Sequence, residues 1–257
     1  VLFRSASGLL WHRTKTLLYP YALWAAIQAV LEAVGTGEFP RALGTAFARI
    51  LYFPPAHFWF LFVLFFCVVV SVGVRRVVED EGQSVIALAV LAFCWYGLHV
   101  WMPAGPLRDM GASLPYFALG GIYTATRHRI RPLRSAAVRA VLAWCVFVGA
   151  ASLAVSKGLE TAPLLRLPLG ILGVTATCMT AILVPDGRKG AWLAHLGRRS
   201  LVIYLTHVIA IHVVLVGLGG LGVYAALCIA MLAGVALPLV LDWGCQRLRL
   251  SSWLGLR

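Results

Sequence analysis

From Ser200 to Leu241 the chain runs 42 residues without one Asp, Glu, Lys or Arg. A single helix of about 20 largely apolar residues crosses a bilayer. This run is twice that length, and Gly217-Leu218-Gly219-Gly220-Leu221-Gly222 near its middle supplies a tight turn. It reads as two spanning helices. Shorter uncharged runs at Thr16–Leu31, Ile50–Val74, Gly82–Leu107, Met110–Thr126, Ala140–Ser156 and Leu167–Pro185 bring the expected total to eight spans. The shortest reach across if flanking residues snorkel. The runs are continuous and do not alternate apolar with polar, which favours helices over a β-barrel. Composition agrees: 61% of residues are apolar and 12% charged, against about 45–50% and about 25% in soluble domains. A water-soluble globule and a disordered chain are excluded. The expected fold is all-α, a polytopic transmembrane bundle forming one integral-membrane domain over residues 1–257.

The net charge of +13 is explained by topology. With the N-terminus inside, the segments 1–15, 75–83, 127–139, 186–199 and 242–257 hold 17 Lys and Arg, and the outer loops hold 5. That asymmetry is the positive-inside pattern. It predicts a multi-pass protein of the cell (inner) membrane with both ends of this chain cytoplasmic, and it removes the case for nucleic acid as a partner. The six cysteines form no CxxC pair and read as small buried apolar residues, not as disulfides or metal ligands. No P-loop, HExxH or GxSxG occurs, and no internal repeat is visible.

Ionisable groups inside a bilayer are costly and therefore candidates for function. His207 leads. Ser200, Tyr204 and His207 fall on one helical face, and His207 lies about 10 Å deeper than Ser200. The stripe serves either as the path of an anionic cytoplasmic ligand or as an interhelical hydrogen-bond anchor. His212 faces elsewhere and reads as packing, and His128 as a solvated loop residue. His57 and His99 fall at the outer ends of spans, where water reaches them. Pro54-Pro55 stops any helix ahead of His57, and Trp59 suits an interfacial aromatic belt. His57 could bind or deprotonate an acceptor hydroxyl. Arg108 and Asp109 either pair with each other or hold a sugar. Gly120-Gly121 invites the close approach of a neighbouring helix. Arg13 and Lys15 lead into a span from the basic side, setting topology or binding phosphates.

Taken in order, four segments resemble the integral-membrane acyltransferase 3 family, the sugar and polysaccharide O-acetylases. They are the basic stretch ending Leu-x-x-Pro-Tyr (Arg13 to Tyr21); the His-x-Trp-Phe-Leu entry (His57, Trp59, Phe60, Leu61); Phe117 to Gly120; and Gly197, Ser200, Tyr204 and His207. The resemblance implies transfer of an acyl group, commonly acetyl from acetyl-CoA, to a hydroxyl of a cell-envelope carbohydrate or glycolipid. Arg13, Lys15 and Ser200 would then meet the acyl-CoA. His207 and Tyr204 would line the acyl path, and His57, Trp59 and Asp109 would serve the acceptor. It implies no permanently bound cofactor and no metal; acyl-CoA is a donor substrate. It also implies ten spans, the first carrying an Arg and, eleven residues on, a His needed as base. This chain then corresponds to the last eight spans and is inactive alone. The rival reading is a secondary transporter or flippase for an amphiphile, using the same intramembrane His; a third is a non-catalytic scaffold, indifferent to loss of His207.

Overall fold

A computed structural model describes residues 6–36, 56–126, 136–159, 162–184, 187–217 and 222–256. The described residues are helical, with no strand. α1 (Ala6–Arg13) passes through a π-helical stretch, Thr14–Leu18, into α2 (Tyr19–Thr36). A 3-10 turn, Ala56–Phe58, opens α3 (Trp59–Val77). There follow α4 (Glu81–His99), α5 (Pro106–Thr126), α6 (Ala136–Ser156), α7 (Pro163–Ile182), α8 (Arg188–Arg198), α9 (Ser200–Gly217) and α10 (Val223–Arg247). Each of the eight expected spans coincides with a long helix. Among the described residues six of these, α3, α4, α6, α7, α9 and α10, are both long and apolar enough to cross a membrane. The other two are long but more polar: α2 carries Gln28 and Glu32, and α5 carries Arg108 and Asp109. The polytopic helical bundle stands. Pro54-Pro55 and most of the glycine-rich turn at 218–221 lie outside the described residues.

Local signals account for the helix ends. Asp80 caps α4, its side chain accepting from the Gln83 N–H at 2.7 Å. Pro163 opens α7, where its missing N–H is harmless. Pro20 sits just inside α2 and cannot donate, and its ring crowds the carbonyl four residues back. The π-helical stretch lies immediately ahead of it, with the Tyr19 N–H reaching the Thr14 carbonyl. A proline in the Leu-x-x-Pro-Tyr motif thus accompanies a local widening of the helix.

The helices form two compact units. The first comprises Val1–Val72 and Ala194–Arg257. Its core gathers Leu17, Tyr21, Trp24, Phe58, Leu61, Phe62, Val202, Leu205 and Leu256. Leu17, Pro20 and Tyr21 of one family-like motif and Leu61 of another are therefore core: Pro20 and Tyr21 are among the most buried side chains, and Tyr21 packs on Phe62 with ring centroids 5.4 Å apart. A short C-terminal stretch closes over them. Tyr19 and Trp24 donate to the carbonyls of Trp253 and Leu254. Gly255, at φ +65°, lies where a Cβ would meet the Pro20 ring at 2.8 Å, so this turn requires glycine. Leu205 is 0% exposed at the centre of this core. Leu205→Ala is expected to cost about 2–5 kcal/mol, read as a lowered unfolding transition in detergent.

The second unit, Gly73–Leu193, is built from two antiparallel hairpins, α4–α5 and α6–α7. Tyr96 on α4 donates to the Pro163 carbonyl, and Tyr116 on α5 donates to the Arg166 carbonyl, 3.0 Å away, so both hydroxyls join the hairpins. Close approach occurs at Gly111, against Trp95 and His99, and at Gly170, which faces the Tyr116 ring. Gly120 and Gly121, where it was expected, have open space. His99 is correspondingly buried, and its Nδ1 donates to the Tyr96 carbonyl. The expectation that water reaches it fails because Gly111 lets α5 cover the ring. Cys67 and Cys245 are buried, but Cys94, Cys145, Cys178 and Cys228 are exposed; on an apolar helix that faces lipid, a thiol needs no burial. Finally, the segment 186–199, expected as a basic loop, contains α8. Charge counting finds loops but is blind to a short amphipathic helix inside one.

Candidate active site

The cluster that stands out in the first unit forms where the 3-10 turn meets α9. α9 is apolar apart from Ser200, Tyr204, Thr206, His207 and His212, and Thr206 spends its hydroxyl on the Val202 carbonyl one turn back, at 2.9 Å. α9 and α10 pack as an antiparallel hairpin with little between them: a Cβ at Gly234 would lie 3.0 Å from Ile211 and 3.9 Å from the His207 Cβ. Gly234 therefore leaves room on α10 for the turn of α9 that carries His207.

On that turn the His207 ring stands edge-on to His57, with centroids 5.0 Å apart and planes at 69°. The Tyr204 ring lies 5.4 Å from His57 and 6.2 Å from His207. The Tyr204 hydroxyl donates to the His57 carbonyl, fixing the 3-10 turn against α9. His207 Nδ1 lies 2.9 Å from the Tyr204 carbonyl and 3.1 Å from the Ile203 carbonyl. Carbonyl oxygens only accept, so Nδ1 carries the proton and Nε2 of the neutral ring carries the lone pair. His57 is half-buried, and neither of its ring nitrogens has a hydrogen-bond partner among the described residues. Leaving such a group unpaired costs about 1–3 kcal/mol. Two imidazoles, one of them with both nitrogens unpartnered, and one phenol can relay a proton or hold a polar reactant in an otherwise apolar wall.

From the sequence these residues are expected apart, His57 on the outer face and His207 on a path from the cytoplasmic side. The structure joins them. Ser200, expected on the same stripe, is exposed at the first position of α9, a turn before Tyr204. Trp59 is 39% exposed and packs edge-on against Phe60, 6.3 Å away, and not on the imidazoles. Arg13 and Lys15 are exposed around the start of the π-helical stretch, with the Lys15 Nζ 4.7 Å above the Trp11 ring. Asp109 lies in the second unit on the first turn of α5. His212 is exposed on α9 and not packed between helices. Among the described residues no three His, Cys, Asp or Glu side chains gather as a metal site requires.

One polar group is missed by sequence reasoning. Asp242 on α10 is 3% exposed and pairs with Arg199, Nη1 to Oδ2 being 3.0 Å; Gln246 Nε2 donates to the same oxygen at 2.6 Å. It ends the long uncharged run and so reads only as a boundary. The available signal is its isolation as the one acidic residue after Asp186.

Comparison with known families gives one result: a family model described as an acyltransferase domain, that of the acyltransferase 3 family, matches residues 1–243. No curated protein matches this chain, and no solved structure does.

Proposed function

This chain belongs to the acyltransferase 3 family, and on that premise we propose that it moves an acyl group, acetyl foremost, from acyl-CoA to a hydroxyl of a cell-envelope carbohydrate. The hydroxyl oxygen attacks the thioester carbonyl, a C–O bond forms as the C–S bond breaks, the hydroxyl proton passes to a base, and CoA leaves as the thiol. A sugar hydroxyl is a poor nucleophile at neutral pH and needs a base with a pKa near 7, which imidazole supplies. The observation that carries this reading is the His57–His207 ring pair beside Tyr204. A pair of imidazoles, one with both ring nitrogens unpartnered, suits an acyl path better than it suits packing. In this reading His207 and Tyr204 line the path, and His57 with Trp59 meets the acceptor. The exposed Arg13 and Lys15, with Ser200, receive the CoA phosphates from the cytoplasmic side.

Full-length protein in vesicles, supplied with acetyl-CoA labelled in the acetyl group, tests the proposal. Label is expected on carbohydrate in covalent form, released by mild base as an ester is. Uptake of label or amphiphile with no covalent transfer would instead establish a transporter and end this reading.

A further inference from the structure

We propose that α8 is an in-plane membrane anchor, its apolar arc sunk toward the lipid chains and its basic arc on the headgroups of anionic phospholipids. Such an anchor does not depend on acyl transfer by the imidazole pair.

α8 has 11 residues and is therefore about 16 Å long, roughly half of what a crossing needs. Its residues divide by side. At about 100° per residue, Trp192, Leu193 and Leu196 share one arc of roughly 100°, and Arg188, His195 and Arg198 fall on a separate arc of roughly 80°. Lys189 falls by period inside the apolar arc at the start of the helix, a position that suits an apolar stem with a charged head. The helix holds no Asp or Glu.

The protein leaves the apolar arc largely uncovered among the described residues. Trp192 is 63% exposed and Leu193 47%, and only Leu196 is half-buried. Nor is the helix stable by itself. An isolated helix of this length is marginal in water. Gly190 and Gly197 weaken it further, and at Gly197 no neighbour demands the missing side chain. Helical order in such a segment needs an apolar phase against the exposed arc.

The depth of that arc is set at the C-terminal end of α8. One residue, Arg199, separates it from the spanning α9, and Arg199 pairs with Asp242 near the end of α10. The next residue, Trp243, is 61% exposed, with the Arg247 Cζ 5.0 Å from its ring centroid. An exposed tryptophan beside a cation at the end of a spanning helix marks the headgroup level. α8 joins the bundle at that level. A helix with Trp and Leu on one arc and Arg on the other lies in the interface, its apolar side about 5–10 Å into the boundary between headgroups and chains. A zwitterionic surface satisfies the apolar arc alone, whereas anionic headgroups also complement the basic one.

Hydrogen–deuterium exchange of the 188–198 backbone amides tests this on full-length protein. Two vesicles are compared, one of phosphatidylcholine alone and one of phosphatidylcholine mixed equally with phosphatidylglycerol, with the amides of α9 as internal reference. Exchange in α8 is expected to be at least about tenfold slower in the mixture, the scale on which a few cations are drawn to an anionic surface. The difference is expected to shrink at high salt. Arg188→Gln with Arg198→Gln is expected to abolish the lipid dependence, and Trp192→Ser to speed exchange in both vesicles. Equal exchange in the two vesicles overturns the proposal, as does a lipid dependence that survives the double substitution or exchange unmoved by Trp192→Ser. Protection that appears instead when CoA is added to the zwitterionic vesicles would assign the basic arc to a soluble phosphate and overturn it too. If a variant does not fold, the unmodified protein in the two vesicles decides.

Discussion

Replacing His207 by alanine is expected to lower acyl transfer by about 100-fold or more, the scale at which a positioned proton-handling group contributes, while the protein folds and inserts as before. The expectation of intact folding has a structural reason. Nδ1 bonds only to carbonyls of its own helix, at Ile203 and Tyr204, which already belong to the helical ladder. The ring also stands beside His57 and Tyr204, and the His207 Cβ faces Gly234. Little is stranded when it goes. His207→Gln keeps a polar tip but no group that titrates near neutrality, and is expected to share the defect. Turnover of labelled acyl-CoA in vesicles, normalised to folded protein, reads the effect. Transfer within about twofold of the unmodified protein would reduce His207 to an interhelical anchor, a role worth about 1 kcal/mol.

His57→Leu should move stability and activity in opposite directions. A buried imidazole with both nitrogens unpartnered destabilises its own fold, and an apolar side chain of similar size removes that penalty of about 1–3 kcal/mol. The unfolding transition is expected to hold or rise, while transfer falls by about 100-fold. The Tyr204 bond is unaffected, because it uses the backbone carbonyl of residue 57. A merely structural imidazole predicts the reverse: lower stability, with activity following the folded fraction. Such tension between local stability and function is usual at sites poised for a reactant.

The bundle is legible in the sequence because the bilayer imposes one strong constraint, roughly 20 apolar residues per crossing. Charges such as Arg75, Asp109 and Arg166 break the chain near where helices end or begin. The same rule misleads where charge is taken as punctuation. Asp242 marks the end of a run and is in fact a buried partner inside α10, and α8 is hidden in a basic loop. The site is half legible. Tyr204 and His207 share a face by helical period alone, and Ser200, on the same stripe, lies exposed a turn before them. That His57 joins them depends on how a 3-10 turn some 150 residues earlier docks on α9, and no local period encodes this. His99 shows the converse: its burial follows from Gly111 on the next helix, whereas the visible Gly120-Gly121 pair meets nothing.

The position of the acyl group in the full-length protein, bound to a non-transferable acyl-CoA analogue, bears on the transfer site without intermediary. The acyl carbonyl, or the acceptor hydroxyl brought to it, is expected within hydrogen-bonding reach of His207 Nε2, about 2.6–3.2 Å, with the His57 ring on the same reactant. An analogue whose acyl end lies against the second unit, leaving both imidazoles untouched, would refute the assignment.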